Sequence, residues 1–123
     1  MRTHSQRHSP GAVLARLLMA SVFLVMGGYR LWGAYAGMPT SGATLTFSAI
    51  ELVLGLLLAG GWKLRVVAGA AAVLMVVDAV LSHPFWSFAG AEQAAQLLHF
   101  MKNVGFVGGL LLLAVTAPSG RRR

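Results

Sequence analysis

Four apolar stretches, Gly11–Gly33, Thr44–Gly61, Val66–Ser82 and Gln96–Thr116, take up nearly the whole of this 123-residue chain and constrain its fold more than any other feature. Each runs about 17 to 23 residues, the length a helix needs to cross roughly 30 Å of hydrocarbon at about 1.5 Å per residue. Composition agrees. With 57% hydrophobic residues, 11% charged residues and a mean hydropathy of +0.72, the chain carries more apolar surface than one small soluble core can hide. The expected solvent is a bilayer.

The joints between the stretches are short and rich in turn formers. Met38-Pro39-Thr40-Ser41-Gly42 separates the first two, Gly60-Gly61-Trp62-Lys63 the second and third, and His83-Pro84 stops the third. Short joints make neighbouring helices antiparallel. The sequence therefore predicts an all-α membrane protein: a four-transmembrane-helix antiparallel bundle over residues 11–116, with helices at about 11–33, 44–61, 66–82 and 96–116. A polar basic tail, 1–10, precedes it and a basic tail, 117–123, follows.

Basic residues orient the bundle. Arg2, Arg7 and Arg16 lie at its start, Lys63 and Arg65 at the second joint, and Arg121, Arg122 and Arg123 at its end. By the positive-inside rule the N and C termini and the middle joint are expected to be cytoplasmic. These eight account for most of the 10 lysines and arginines behind the +7 net charge and the pI of about 11.6, and no basic stripe with interleaved aromatics remains to track phosphates. Nucleic-acid binding is therefore not expected, whereas attraction to anionic headgroups is. A leader cleaved after Ala34-Tyr35-Ala36 is the alternative reading of the first stretch. Its length, its arginines and the three later spans, which need a partner helix, speak against it.

Chemistry is confined to a few positions. The chain has no cysteine, which excludes thiolate catalysis, disulfide exchange and Cys-x-x-Cys-His haem attachment by this chain alone. Arg30, Glu51, Asp78 and Lys102 lie within or at the edges of the spans, and the expected topology puts all four in the outward-facing half. Ionisable groups in hydrocarbon are costly and often mark a functional site. Two acids against two bases suit mutual neutralisation. His99, Lys102, Asn103 and Phe106 share one face of the fourth helix, expected to look inward, and His83 lies just beyond the third. The candidate ligand-binding cluster is thus Arg30, Glu51, Asp78, His83, His99, Lys102 and Asn103. A purely structural role also stays open, in which paired charges fix the register of the helices and Arg30 is an interfacial anchor. No metal site is expected: His4 and His8 fall in a polar tail, and His83 and His99 lack ligand spacing.

Small residues, among them Gly55, Ala59, Gly105, Gly109 and the run Ala68–Ala72, let backbones approach closely, while Trp32, Tyr35, Trp62, Trp86 and Phe88 mark the membrane interfaces. The run Ala15-Arg16-Leu17-Leu18 with Gly27, Gly28 and Arg30, then ELVLGLLLAGGWKLR from Glu51, then His83-Pro84-Phe85-Trp86, and finally HFMKNVGFVGGLLLL from His99, resembles the DoxX family over roughly residues 15 to 115. That resemblance implies a four-helix protein of the bacterial inner (plasma) membrane with an auxiliary or quinone-facing role in a membrane redox or oxidative-stress system, not catalytic alone. On that reading Lys102 or His99 donates to a quinone carbonyl, and Glu51 or Asp78 exchanges protons. The expected partners are lipid, another membrane subunit or a soluble redox protein, with a homo-oligomer also open. Two other readings remain. In one the chain is a non-enzymatic anchor that recruits a soluble partner through its arginine-rich flanks; in the other it is a small anion or lipid transporter.

Overall fold

Serine at position 9 followed by Pro10 is a strong helix start, because a hydroxyl caps a free backbone N–H and proline needs none at the first turn. In the computed structural model, which describes residues 9–118, the Ser9 hydroxyl accepts from the Ala12 N–H at 3.2 Å and α1 runs from Pro10 to Tyr35. Ser41 starts α2 (Gly42–Gly60) in the same way, accepting from the Thr44 N–H at 3.1 Å. After Gly61 (φ 76°) and Lys63 (φ 44°), both left-handed, the chain reverses into α3 (Leu64–Ser82). A single 3-10 turn, Phe85–Ser87, leads into α4 (Gly90–Thr116). The described residues hold no strand, and each of the four helices is long and apolar enough to cross a membrane.

Hydropathy placed the fourth helix at Gln96, but it begins at Gly90. Its first turns, with Glu92 and Gln93, are polar and exposed, so they extend the helix without extending the apolar run. At 27 residues α4 is about 40 Å long and exceeds the hydrocarbon thickness. Arg2, Arg7, His4, His8 and Arg121–Arg123 lie outside the described residues.

The bundle is built from two hairpins. Contacts are dense between α1 and α2 and between α3 and α4, and far sparser between α2 and α3 and between α1 and α4. The hairpins meet near the end that carries Arg16, Lys63 and Arg65, called here the basic end. There the alanine face of α3 (Ala68, Ala71, Ala72, with Val67 and Met75) packs with Phe23 of α1, Leu58 of α2 and Leu110 of α4. Phe23 and Phe106 meet across the α1–α4 seam as a tilted ring pair, with centroids 5.4 Å apart.

Each hairpin closes its basic end with an arginine. Arg16, near the start of α1, donates to the Ala59 carbonyl at the end of α2 at 3.3 Å, and Arg65, at the start of α3, donates to the Ala117 carbonyl just past α4 at 3.4 Å. Free carbonyls at a helix end carry partial negative charge, which a guanidinium satisfies.

Within the first hairpin the crossing is set by glycine. A Cβ on Gly27 would lie 2.8 Å from the Ser48 carbonyl oxygen and 3.0 Å from the Leu52 nitrogen, and one on Gly55 would lie 2.9 Å from the Leu24 side chain. Backbone atoms cannot yield as a side-chain tip can. Gly27→Ala is therefore expected to lower stability by about 1–3 kcal/mol through overpacking. Gly28→Ala, where a Cβ meets nothing within 4 Å, should be neutral or mildly stabilising. Unfolding in a detergent titration tests the contrast; equal losses at the two positions would contradict it.

Candidate ligand groove

The close crossing at Gly27 brings the next turn of α1 against α2. Arg30 follows Gly27 by three residues, on the same face, and its Nη1 donates to Glu51 Oε1 at 2.5 Å. The Glu51 side chain is 5% exposed and that of Arg30 34%, so the carboxylate is enclosed while the guanidinium still reaches open space. Removing a carboxylate from water costs several kcal/mol, which only a close, hydrogen-bonded counter-charge offsets. This is the only salt bridge among the described residues.

Asp78 belongs to the other hairpin and is satisfied differently. Asn103 of α4 donates from Nδ2 to Asp78 Oδ2 at 2.8 Å, and Ser82, one turn further along α3, donates to Oδ1 at 2.9 Å. Its hydrogen-bond partners are neutral. The expected cluster of four mutually neutralising charges is thus not assembled: Arg30 pairs with Glu51 inside the first hairpin, Asp78 binds the neutral Asn103 and Ser82 inside the second, and Lys102 is exposed.

Between the hairpins, at the end away from the basic residues, a groove of about 220 Å³ opens. Arg30, Ala43, Thr44 and Phe47 line it from the first hairpin, and Val77, Asp78, Leu81 and Ser82 from the second. Arg30 and Asp78 are its charged groups, contributed by opposite hairpins. A guanidinium has five N–H donors, and the one bond to Glu51 leaves others free for a ligand oxygen. Phe47, Val77 and Leu81 supply apolar surface for a ring or chain.

The remaining candidates are placed elsewhere. His83 and His99 stack on one another, with centroids 5.1 Å apart and 29° between their planes, and His83 Nδ1 pairs with Gln96 Oε1 at 2.9 Å. Both lie outside the groove lining, at the far end of the second hairpin, near the edge-on cluster of Phe85, Trp86 and Phe100. Lys102 and His99 are exposed, whereas Asn103 and Phe106 are half-buried, so the inward face expected of α4 is narrower than its four residues. Successive residues turn by about 100° around a helix, which carries Lys102 off the side that Asn103 presents to α3. The groove also contains residues that the sequence reading passed over. Ser82 was detectable from its spacing of four from Asp78; Thr44 and Phe47 carried no comparable signal.

Two inner membrane proteins of Escherichia coli (strain K12) are similar to this chain. The alignment with inner membrane protein YphA is 26% identical over 115 residues and covers 86% of this chain and 82% of YphA. That with inner membrane protein YqjF is 31% identical over 111 residues and covers 88% of this chain and 85% of YqjF. No family model matches the chain, and no solved structure matches it.

The Arg30–Glu51 pair makes a quantitative prediction. Arg30→Met leaves an enclosed carboxylate without its counter-charge and is expected to cost about 3 kcal/mol or more, while Arg30→Met combined with Glu51→Leu should recover most of that loss. A double-mutant cycle in mixed micelles measures the coupling, and strict additivity would show that the two residues do not act as a pair.

Proposed function

The chain belongs to the family of inner membrane proteins that includes YqjF, and from that premise we propose that it is a DoxX-like auxiliary subunit of a membrane redox system, one that holds the headgroup of a membrane quinone in the groove between its two hairpins. The observation that carries this reading is the placing of Arg30 and Asp78 on opposite hairpins around one groove. At about 220 Å³ the groove falls below the roughly 300 Å³ at which pockets begin to enclose a whole drug-sized molecule, so it suits a ring-sized head with its tail left in lipid. Its donor set also fits a quinone: a guanidinium with free N–H groups for a ring oxygen, a carboxyl and two hydroxyls, and apolar walls for the ring faces.

A quinone brings two-electron, two-proton chemistry of its own. The residues supply position and protons. Arg30, held by Glu51, presents its unused donors to a ring oxygen. Asp78, held by Asn103 and Ser82, is the group that exchanges a proton with that ligand. Phe47, Val77 and Leu81 exclude water from the ring faces. With the basic end in the cytoplasm, as its arginines and lysine imply, the groove opens toward the outer leaflet.

Mass spectrometry of small molecules extracted from the purified protein tests this. The wild type is expected to retain a quinone. Ala43→Phe, which fills the groove from an exposed wall position, and Asp78→Asn, which removes the proton-exchanging carboxyl, should each lower its occupancy by about tenfold, roughly 1.4 kcal/mol of binding. Absence of quinone from the folded wild type, or equal retention by all three proteins, would overturn the reading.

A further inference from the structure

Helix α4 carries a charge that the fold leaves unanswered. Lys102 lies about 9 Å along the helix from Gln96, within the apolar run, and is exposed, with no carboxylate in salt-bridge range among the described residues. The sequence holds only three acidic residues. Glu51 is enclosed with Arg30, Asp78 faces the groove and binds Asn103 and Ser82, and Glu92 sits in the first turn of α4, well away from Lys102. Neither this chain nor a second copy of it therefore has a free carboxylate at the depth of Lys102.

A second feature lies beside Lys102, on the flank of α4 turned away from Asn103. Gly105 and Gly108 follow Lys102 at spacings of three and six, and a Cβ added to either would meet nothing within 4 Å. Glycine weakens a helix interior relative to alanine, and here the chain's own packing gives no reason for it. Gly27 and Gly55 form the contrast, since each is required by a neighbouring helix of the same chain. Leu98, Met101 and Leu112 extend the stripe, exposed at 55%, 52% and 63%, and Leu110 is the only fully buried residue of the helix.

We propose that the Lys102–Gly105–Gly108 side of α4 is a docking surface for a transmembrane helix of a second subunit that carries an aspartate or glutamate at the depth of Lys102. The glycines let that helix approach closely, and the acid neutralises Lys102 where hydrocarbon leaves a charge costly. The proposal rests on the auxiliary-subunit reading and names the chemistry of the partner.

The test uses the full chain in lipid nanodiscs and fluorescent leucine-based transmembrane peptides that carry Glu, Gln or Leu at one central position, with association read by energy transfer. The Glu peptide is expected to associate about tenfold more tightly than the Leu peptide, a difference of about 1.4 kcal/mol. Lys102→Met should abolish that preference, Lys102→Arg should keep it, and Gly105→Leu should weaken association of the Glu peptide without unfolding the chain. Lys102 reaching the lipid headgroups on its own stem would give no preference among the peptides and would overturn the proposal. The same preference in Lys102→Met, or self-association that excludes the peptides, would also overturn it. Quinone retention, measured on the same samples, separates the two ideas: docking without quinone sinks the redox reading alone, and quinone without docking sinks this inference alone.

Discussion

Hydrocarbon offers no water to a buried charge, so Glu51 on the inner side of a transmembrane helix has to be met by another group of the protein. Arg30 meets it only because Gly27 and Gly55 let α1 and α2 come close enough for their backbones to touch. Much follows from this contact. It fixes the register of the first hairpin and leaves one side of the guanidinium free.

The second hairpin reaches a similar end by neutral hydrogen bonds, with Asn103 and Ser82 holding Asp78. Because Glu51 and Asp78 are each bonded within their own hairpin, little polar bonding is left to join the two. What joins them is the alanine face of α3 at the basic end. Small side chains allow tight packing there, and the far end, without such a face, stays open as the groove. A division into closed and open ends thus arises from where alanine and the ionisable residues fall along α3.

The four spans were legible because span length and hydropathy are set by the bilayer and not by tertiary detail. The antiparallel order followed from short joints, which favour it, and from their polar turn residues, which do not cross hydrocarbon. The start of α4 was not legible, since the turns from Gly90 are polar and hydropathy reports only the apolar part of a helix. For the site, the sequence picked out Arg30, Glu51, Asp78 and Lys102 by their cost in lipid and Asn103 by its face of the fourth helix, but not who pairs with whom. Pairing depends on helix rotation: a charge one residue away from a half-buried neighbour, as Lys102 is from Asn103, is turned by about 100° and falls on an exposed side. Phe47 and Thr44 were hidden for another reason, because an aromatic and a threonine near a helix start are common in any membrane protein.

Photoaffinity labelling in native membranes with an azido-quinone, mapped by peptide mass spectrometry, tests the groove most directly. Adducts are expected on residues 43–47 of α2 and 77–82 of α3, lost when unmodified quinone competes. Adducts confined to the exposed positions Leu111 and Val115, or labelling that excess quinone leaves unchanged, would contradict it.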